Sequence, residues 1–270
     1  MKKGLNGFQI KLIALFFMTL DHIYANFSVV ADIPILFTIL GRIAAPLFIF
    51  MVTQGMRHTR SREKYLLRLW VGSVGMNVGN NVLNSLFPRS DGAVLFANIF
   101  STMFVICLLI YGCEKIIICF KNRNYKKVVG FSLLTLLPFI GSGLSLLLMS
   151  HMENPTMLLL FKFITTTIPS ILFVEGGYIF VLLGIGFYLF GKNAKNTGIY
   201  YFLFSALIFI SQVDISSFQA LLENNQWFMV LALPFLLLYN HEKGKSMKYL
   251  FYFYYPLHIY IFWIVSTFLV

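Results

Sequence analysis

The chain has 270 residues, of which 59% are hydrophobic and 11% are charged. A soluble domain carries about 25% charged residues, so this composition excludes a soluble protein and leaves no stretch polar enough for a separate soluble domain. The net charge of +11 comes mostly from short loops, a placement that indicates membrane topology and not nucleic-acid binding. We therefore predict a single integral membrane domain over 1–270 with no nucleic-acid partner.

Apolar stretches of roughly 18 to 24 residues recur along the chain, and each is long enough to cross about 30 Å of hydrocarbon. The predicted spans are 8–30, 34–56, 66–87, 93–119, 128–149, 176–190, 198–213, 227–240 and 249–269. The predicted fold class is therefore all-α: a polytopic transmembrane helix bundle with about nine crossings.

The basic loops orient the chain, because cytoplasmic loops of membrane proteins carry an excess of lysine and arginine. With a cytoplasmic N-terminus, nine crossings place each basic loop inside and the C-terminus outside. These loops contain Lys2, Lys3, Lys11, Arg57, Arg60, Arg62, Lys64, Arg68, Lys115, Lys121, Arg123, Lys126, Lys127, Lys192, Lys195, Lys243, Lys245 and Lys248. We predict a multi-pass protein of the cell membrane in this orientation, with only Arg42, Arg89 and Lys162 outside the pattern.

The stretch 156–173 is apolar enough to be a tenth crossing. A full crossing there would move the basic loop 243–248 to the outside and break the charge rule. Pro155, Pro169 and the threonines at 165–167 fit irregular backbone that the protein shelters at membrane depth. We therefore expect an outer-face or re-entrant segment.

Several polar residues lie inside predicted spans, where an ionisable group costs about 2.5–3.5 kcal/mol on insertion scales. Asp21 and His22 lie deep in the first span, Arg42 in the second and His258 in the last. The third span is crowded with amides, at Asn77, Asn80, Asn81 and Asn84. Each histidine is either a functional group or a hydrogen-bonding contact between helices, and the amides favour helix packing.

Helical spacing relates these residues. Lys11 and His22 are eleven residues apart, which places them within about 20° of one helix face and roughly 16 Å apart along the axis. His258 lies roughly 13 Å into the last span from Tyr249, so the two histidines could share a layer. Asp21 points about 100° away from His22, so we expect it to pair with Arg42 or Arg57, or to orient another group.

Four segments resemble a known family. They are 11–23 (KLIALFFMTLDHI), 41–48 (GRIAAPLF), 54–69 with its T-R and Y-x-x-R-L elements, and 249–258, which ends in Y-P-L-H. In this order they resemble the TraX family, the group named for the pilin N-acetylase of conjugative plasmids. That family is similar to a larger superfamily of multi-pass membrane acyltransferases with an R-x10-H first helix. Here Lys11 takes the place of that arginine, at the same spacing from His22.

The resemblance implies a membrane acyltransferase that moves an acetyl group from cytoplasmic acetyl-CoA to a peptide N-terminal amine or a glycan hydroxyl at the cell surface. Acyl transfer needs a general base and stabilisation of the developing oxyanion, and we expect His22 to be the base. The other expected catalytic residues are Asp21, His258 and Tyr255, and those expected to hold acetyl-CoA are Lys11, Arg42, Arg57, His58, Arg60 and Arg68. We expect membrane lipid as a further partner.

Other protein classes remain as alternatives. A transporter or flippase would bind and pass a substrate through the same polar layer, but it predicts an internal repeat and paired broken helices, and neither is visible. A membrane metalloprotease is disfavoured because the chain has no HExxH and its acidic residues are scattered. We therefore predict no metal. The basic run from Arg57 to Arg68 could also be a topology signal without a ligand.

Overall fold

A computed structural model describes residues 4–168, 170–212 and 217–270, and these residues form helices without a β-sheet. The helices are α1 (Gly7–Phe27), α2 (Leu36–Gly41), α3 (Ala44–His58), α4 (Arg62–Leu86), α5 (Ile99–Lys121), α6 (Tyr125–Met149), α7 (Pro155–Thr167), α8 (Gly177–Phe190), α9 (Ala194–Gln212), α10 (Phe218–Glu223), a 3-10 helix (Asn225–Ala232), α11 (Leu233–Leu237) and α12 (Lys248–Thr267). The all-α prediction is confirmed for this part of the chain. Lys2, Lys3, Pro169 and Val213, which the predictions used, lie outside the described residues.

Four helical segments in the described ranges are long and apolar enough to cross a bilayer. They are Gly7–Phe27, Leu36–His58, Ile99–Lys121 and Tyr125–Met149, and Gly177–Phe190 and Asn225–Leu237 are shorter apolar helices. These segments identify a membrane protein, and the total of nine crossings stays a prediction. α12 has 20 residues and is rich in tyrosine. It also exposes apolar side chains, at Phe253, Leu257 and Ile261.

The second predicted span is interrupted and does not form one regular helix. α2 ends at Gly41 and α3 begins at Ala44, with Arg42 and Ile43 in a turn between them. Pro46 explains this break, because it has no N–H to donate to the carbonyl four residues earlier, which belongs to Arg42. The turn places the Arg42 side chain where two short helices meet.

Two other predicted spans differ from the observed helices. The span 93–119 begins as a helix only at Ile99, because the Asn98 side chain accepts a hydrogen bond from the backbone N–H of Ser101 (3.0 Å) and caps the helix there. The span 227–240 is a 3-10 helix followed by the five-residue α11. Pro234 lies at the start of α11, where its missing N–H is tolerated.

The chain divides into two compact units. The first unit comprises the chain up to Gln54, residues 83–94 and the chain from Gly186 onward, and the second comprises 55–82 and 95–185. In the first unit α1 and α12 pack side by side and run in the same direction. Phe8 meets Phe251 near their beginnings, with ring centroids 6.4 Å apart, and Phe27 meets Phe262 further along, at 5.7 Å.

Arg89 ties the segment 83–94 to α12 within the first unit. Its side chain is only 2% exposed, forms an ion pair with Asp91 at 2.5 Å and donates to the Ser266 hydroxyl at 3.0 Å. The guanidinium also lies 5.3 Å from the centre of the Trp263 ring. These contacts explain a basic residue outside the basic loops, because a buried and partnered arginine holds structure and does not signal topology.

In the second unit, side chains of α4 cover the C-terminal end of α7. The last carbonyls of a helix have no partner within the helix. Asn77 donates to the carbonyls of Thr165 and Thr166, at 3.1 and 3.3 Å, and the Trp70 indole donates to that of Thr167, at 3.0 Å. The 13 residues of α7 rise about 20 Å, less than the roughly 30 Å of hydrocarbon, so α7 alone is too short to cross.

Candidate active site

His22 and His258 meet where α1 and α12 pack against each other. Nδ1 of His22 lies 2.6 Å from Nε2 of His258, and the two rings are stacked with centroids 4.9 Å apart. The expected common layer of the two histidines is therefore present. α1 and α12 produce it because they run in the same direction in contact, which places His22 directly beside His258.

The hydrogen bonds of His258 determine which nitrogens carry protons. Its Nδ1 lies 2.7 Å from the backbone carbonyl oxygen of Tyr254, and a carbonyl can only accept, so Nδ1 of His258 carries a proton. In the neutral ring, Nε2 of His258 is then an acceptor, and Nδ1 of His22 donates to it. This leaves Nε2 of neutral His22 with a lone pair to which no group in the described part of the chain donates. That nitrogen can accept a proton from a substrate.

Tyr254 supports this pair from α12. Its ring stacks on His258 with centroids 4.9 Å apart, and its hydroxyl lies 2.8 Å from that of Thr19 on α1. Because the Thr19 hydroxyl donates to the Leu15 carbonyl, the Tyr254 hydroxyl is the donor between the two. Tyr255, the expected catalytic tyrosine, is buried with its ring against the edge of His258.

Asp21 and Arg42 form an ion pair beside the histidines. Thr38 joins it, because its hydroxyl donates to the Asp21 carboxylate at 2.9 Å and accepts from Nη2 of Arg42 at 3.1 Å. Gly41 allows this approach, since a Cβ atom there would lie 2.3 Å from the side chain of Asp21. Of the two partners proposed for Asp21, the structure pairs it with Arg42.

Most donors of Arg42 are used within the protein. Nε donates to the Thr38 carbonyl at 3.2 Å, and Nη1 lies 3.5 Å from Oε1 of Gln226. Asp21 and Thr38 therefore position this guanidinium on the first unit. Lys11 lies on the same unit, near the beginning of α1, with its ammonium 5.7 Å from the centre of the Phe251 ring.

The other residues expected to hold acetyl-CoA belong to the second unit. His58, Arg60 and Arg68 are exposed, Arg57 is half-buried, and the Arg68 guanidinium lies 5.8 Å from the centre of the Tyr65 ring. The structure thus brings Asp21, His22, Arg42, His258 and Tyr255 together in the first unit, and it carries Arg57, His58, Arg60 and Arg68 on the second.

Acidic residues neutralise part of the positive charge around the segment 57–68 in the second unit. Arg62 pairs with Glu114, and Glu63 accepts a hydrogen bond from the Tyr111 hydroxyl at 2.8 Å, with Lys115 3.9 Å away. Hydrogen bonds from its own backbone N–H and from Tyr111 lower the pKa of the Glu63 carboxyl. These contacts make Arg62 a structural residue and leave the charges of Arg60 and Arg68 exposed.

Three polar neighbours of the site were missed in the sequence: Thr38, Tyr254 and Gln226. A local signal existed for two of them. Thr38 precedes Arg42 by four residues and Tyr254 precedes His258 by four, so each pair shares a helical face. Gln226 carried no such signal, because it reaches Arg42 from a 3-10 helix 184 residues later in the chain.

A family model described as TraX protein matches residues 6–266 of the chain. The match extends over all candidate site residues, from Lys11 on α1 to His258 on α12. No curated protein and no solved structure matches the chain.

Proposed function

This chain belongs to the TraX family, and we propose that it is a membrane-embedded acetyltransferase. It would take the acetyl group from acetyl-CoA and transfer it to an amine or hydroxyl acceptor. The family is named for a pilin N-acetylase, which favours the N-terminal amine of a peptide, and a cell-surface hydroxyl is the other acceptor with suitable chemistry.

The observation that carries the proposal is the hydrogen-bond chain from His22 through His258 to the Tyr254 carbonyl. It holds the neutral His22 ring with its Nε2 lone pair available for an acceptor proton. A general base typically contributes about 10²–10⁴-fold to the rate when it is held in the correct tautomer and orientation. A hydrogen bond that only joined two helices would not need a carbonyl behind it to set the tautomer.

The reaction follows from this arrangement. Nε2 of His22 removes a proton from the acceptor as the acceptor nitrogen or oxygen attacks the thioester carbonyl carbon. The resulting tetrahedral intermediate collapses with cleavage of the carbon–sulfur bond, and the imidazolium of His22 returns the proton to the CoA thiolate. The products are the acetylated acceptor and CoA thiol. Arg42, positioned by Asp21 and Thr38, is the nearby cation that would stabilise the oxyanion.

The donor would enter from the cytoplasmic side. Lys11, Arg57, His58, Arg60 and Arg68 would hold the phosphates of acetyl-CoA, since cationic side chains form charge-assisted hydrogen bonds with phosphate. The roughly 16 Å along α1 from Lys11 to His22 suits an extended pantetheine arm. The acceptor would then approach the histidines from the outer side.

The parallel packing of α1 and α12 supports a topology with an odd number of crossings. Two neighbouring helices that both span the bilayer and run in the same direction begin on the same side. The N-terminus and the C-terminus would then lie on opposite sides of the membrane. Nine crossings give this arrangement, whereas ten would place both termini on the same side. The basic loops favour the N-terminus inside.

Cysteine labelling tests this topology. Single cysteines replace Ser61 and Val270 in a chain from which Cys107, Cys113 and Cys119 have been removed. In intact cells, an impermeant maleimide should label position 270 and not position 61. Labelling of both positions from one side would mean an even number of crossings.

The activity is tested on purified protein with acetyl-CoA that carries a radiolabelled acetyl group. We expect CoA release and transfer of label to a pilin-derived peptide that has a free N-terminal amine. The matched acceptors are the same peptide with a blocked N-terminus and a cell-wall glycan. Acetyl-CoA binding without label transfer to any acceptor, together with uptake of a solute into vesicles, would support a transporter and refute the proposal.

A further inference from the structure

An open groove in the second unit lies where α5 and α6 meet, away from the residues assigned above. Its volume is about 730 Å³. It is lined by Lys126 and Lys127 next to the connection between the two helices, by Lys115 further back along α5, and by Ile118, Phe131 and Leu134. The groove therefore combines a cationic end with apolar walls.

The connection between the two helices creates the cationic end. α5 ends at Lys121 and α6 begins at Tyr125, so only three residues join them. Arg123 takes a positive φ of 53° in this tight turn, and the Asn124 side chain accepts from the backbone N–H of Lys127 at 3.3 Å. The N-terminus of the 25-residue α6 therefore faces the same region as the lysines and adds a preference for anions.

Two of these three lysines have no ion-pair partner within the described residues. Lys115 lies 3.9 Å from Glu63, and Glu114 is taken by Arg62. Lys126 and Lys127 are exposed and form no ion pair in the described part of the chain. The groove thus has a net positive charge that suits a phosphate.

The walls of the groove continue into apolar surface. Ile118 and Phe120 on α5 are 51% and 62% exposed, and Val129 and Leu133 on α6 are 59% and 57% exposed. On helices of 23 and 25 residues that can cross a bilayer, such apolar side chains face lipid tails. A ligand in the groove would therefore reach cations with one end and hydrocarbon with the other.

We propose that this groove binds an anionic phospholipid. Lys126 and Lys127 hold its phosphate, Lys115 adds a third cation, and its acyl chains lie along the exposed apolar residues of α5 and α6. A soluble phosphate ester such as CoA shares the phosphate but has no paired chains to cover these walls. Basic pockets between membrane helices bind anionic headgroups in this way. The proposal does not depend on the acetyltransferase activity.

Native mass spectrometry of the detergent-solubilised full chain tests the proposal, with phosphatidylglycerol and phosphatidylcholine of identical acyl chains added in parallel. We expect one retained phosphatidylglycerol and no retained phosphatidylcholine under the same conditions. The double variant K126Q/K127Q should bind phosphatidylglycerol at least about tenfold more weakly, because each lysine near an anionic lipid surface contributes about fivefold.

The matched control is K192Q/K195Q, which removes two exposed lysines at the junction of α8 and α9 in the first unit. It should retain wild-type lipid binding. Equal retention by K126Q/K127Q and the wild type would overturn the proposal. So would displacement of the lipid by acetyl-CoA or inorganic phosphate at equal phosphate concentration, because the groove would then select a soluble phosphate and not a lipid. Label transfer measured on the same variants separates this result from the proposed activity.

Discussion

The two units use polar side chains differently inside their helices. In the first unit the contacts between helices involve ionisable groups: His22 with His258, and Asp21 with Arg42. In the second unit the contacts between α4 and α7 involve neutral groups, with the amide of Asn77 and the indole of Trp70 bonded to the last carbonyls of α7. The ion pairs of the second unit join α4 to α5 through partly exposed side chains. Neutral donors are sufficient to cover a helix end, whereas the proposed function needs ionisable side chains at the contact between α1 and α12.

The difference between the two units can also be expressed as free energies of hydrogen bonding and of membrane insertion. A hydrogen bond between membrane helices contributes about 0.6 kcal/mol on average, whereas an ionisable group within a span costs about 2.5–3.5 kcal/mol on insertion scales. The charged pair Asp21–Arg42 in the first unit therefore costs more to insert than a hydrogen bond between helices returns. Under the proposed function, these groups are retained because the chemistry depends on them.

The largest expected effect is on His22. Replacing His22 with glutamine keeps a side chain that can hydrogen-bond to His258 but cannot accept a proton at neutral pH. Acetyl transfer should fall by about 10²–10⁴-fold, while the protein still folds and binds acetyl-CoA. The measurement is label transfer at saturating acetyl-CoA, with donor binding measured separately.

The control for this variant is H151Q, which changes an exposed histidine in the second unit and should leave transfer unchanged. Near-wild-type transfer by H22Q would make the histidine pair a structural contact. The contrast between the two units would then no longer have a chemical basis.

A smaller loss is expected at His258. His258→Phe keeps an aromatic ring on Tyr254 and Tyr255 but removes the acceptor that orients His22. Transfer should fall by about tenfold, the equivalent of one hydrogen bond of roughly 1.4 kcal/mol. The rate should also change its dependence on pH, because His22 loses the partner that sets its tautomer. An unchanged pH profile with a lower rate would indicate a packing defect only.

The ion pair beside the histidines should affect stability. Asp21→Asn leaves the Arg42 cation without its anion and should lower the free energy of unfolding by about 1–3 kcal/mol. The double variant D21N/R42Q should lose less than the sum of the two single variants, because neither side chain is then an unpaired charge. Detergent-induced unfolding measures all three, and strictly additive losses would contradict a coupled pair.

The smallest effect is expected in the neutral layer of the second unit. Asn77→Ala removes the donor to the carbonyls of Thr165 and Thr166 and should cost about 0.6–1.7 kcal/mol of stability. Trp70→Phe removes the single bond to Thr167 and should cost no more than that. Transfer by the folded fraction of both variants should match the wild type. A loss of transfer in N77A as large as in H22Q would show that the second unit also contributes to the chemistry.

Much of the candidate site could be predicted from the spacing of residues along the helices. The rise along α1 and α12 predicted a common layer for His22 and His258, and Arg42 was one of two named partners for Asp21. The cap on α7 could not be predicted, because the donor Asn77 and the acceptor carbonyls lie 88 and 89 residues apart. Nothing in either segment indicates that α7 ends beside α4.

The sequence by itself determined the helical class and the membrane environment, because hydropathy and segment length depend only on the residues within each stretch. The break before Pro46 and the start of α5 after the Asn98 cap are also local effects of the sequence on the backbone, although the predicted spans 34–56 and 93–119 did not include them. Only the tertiary structure decided that α1 and α12 run parallel in contact. That packing brings the two histidines within hydrogen-bond distance and fixes their protons through the Tyr254 carbonyl, because contacts between distant helices depend on how their side chains fit together in three dimensions.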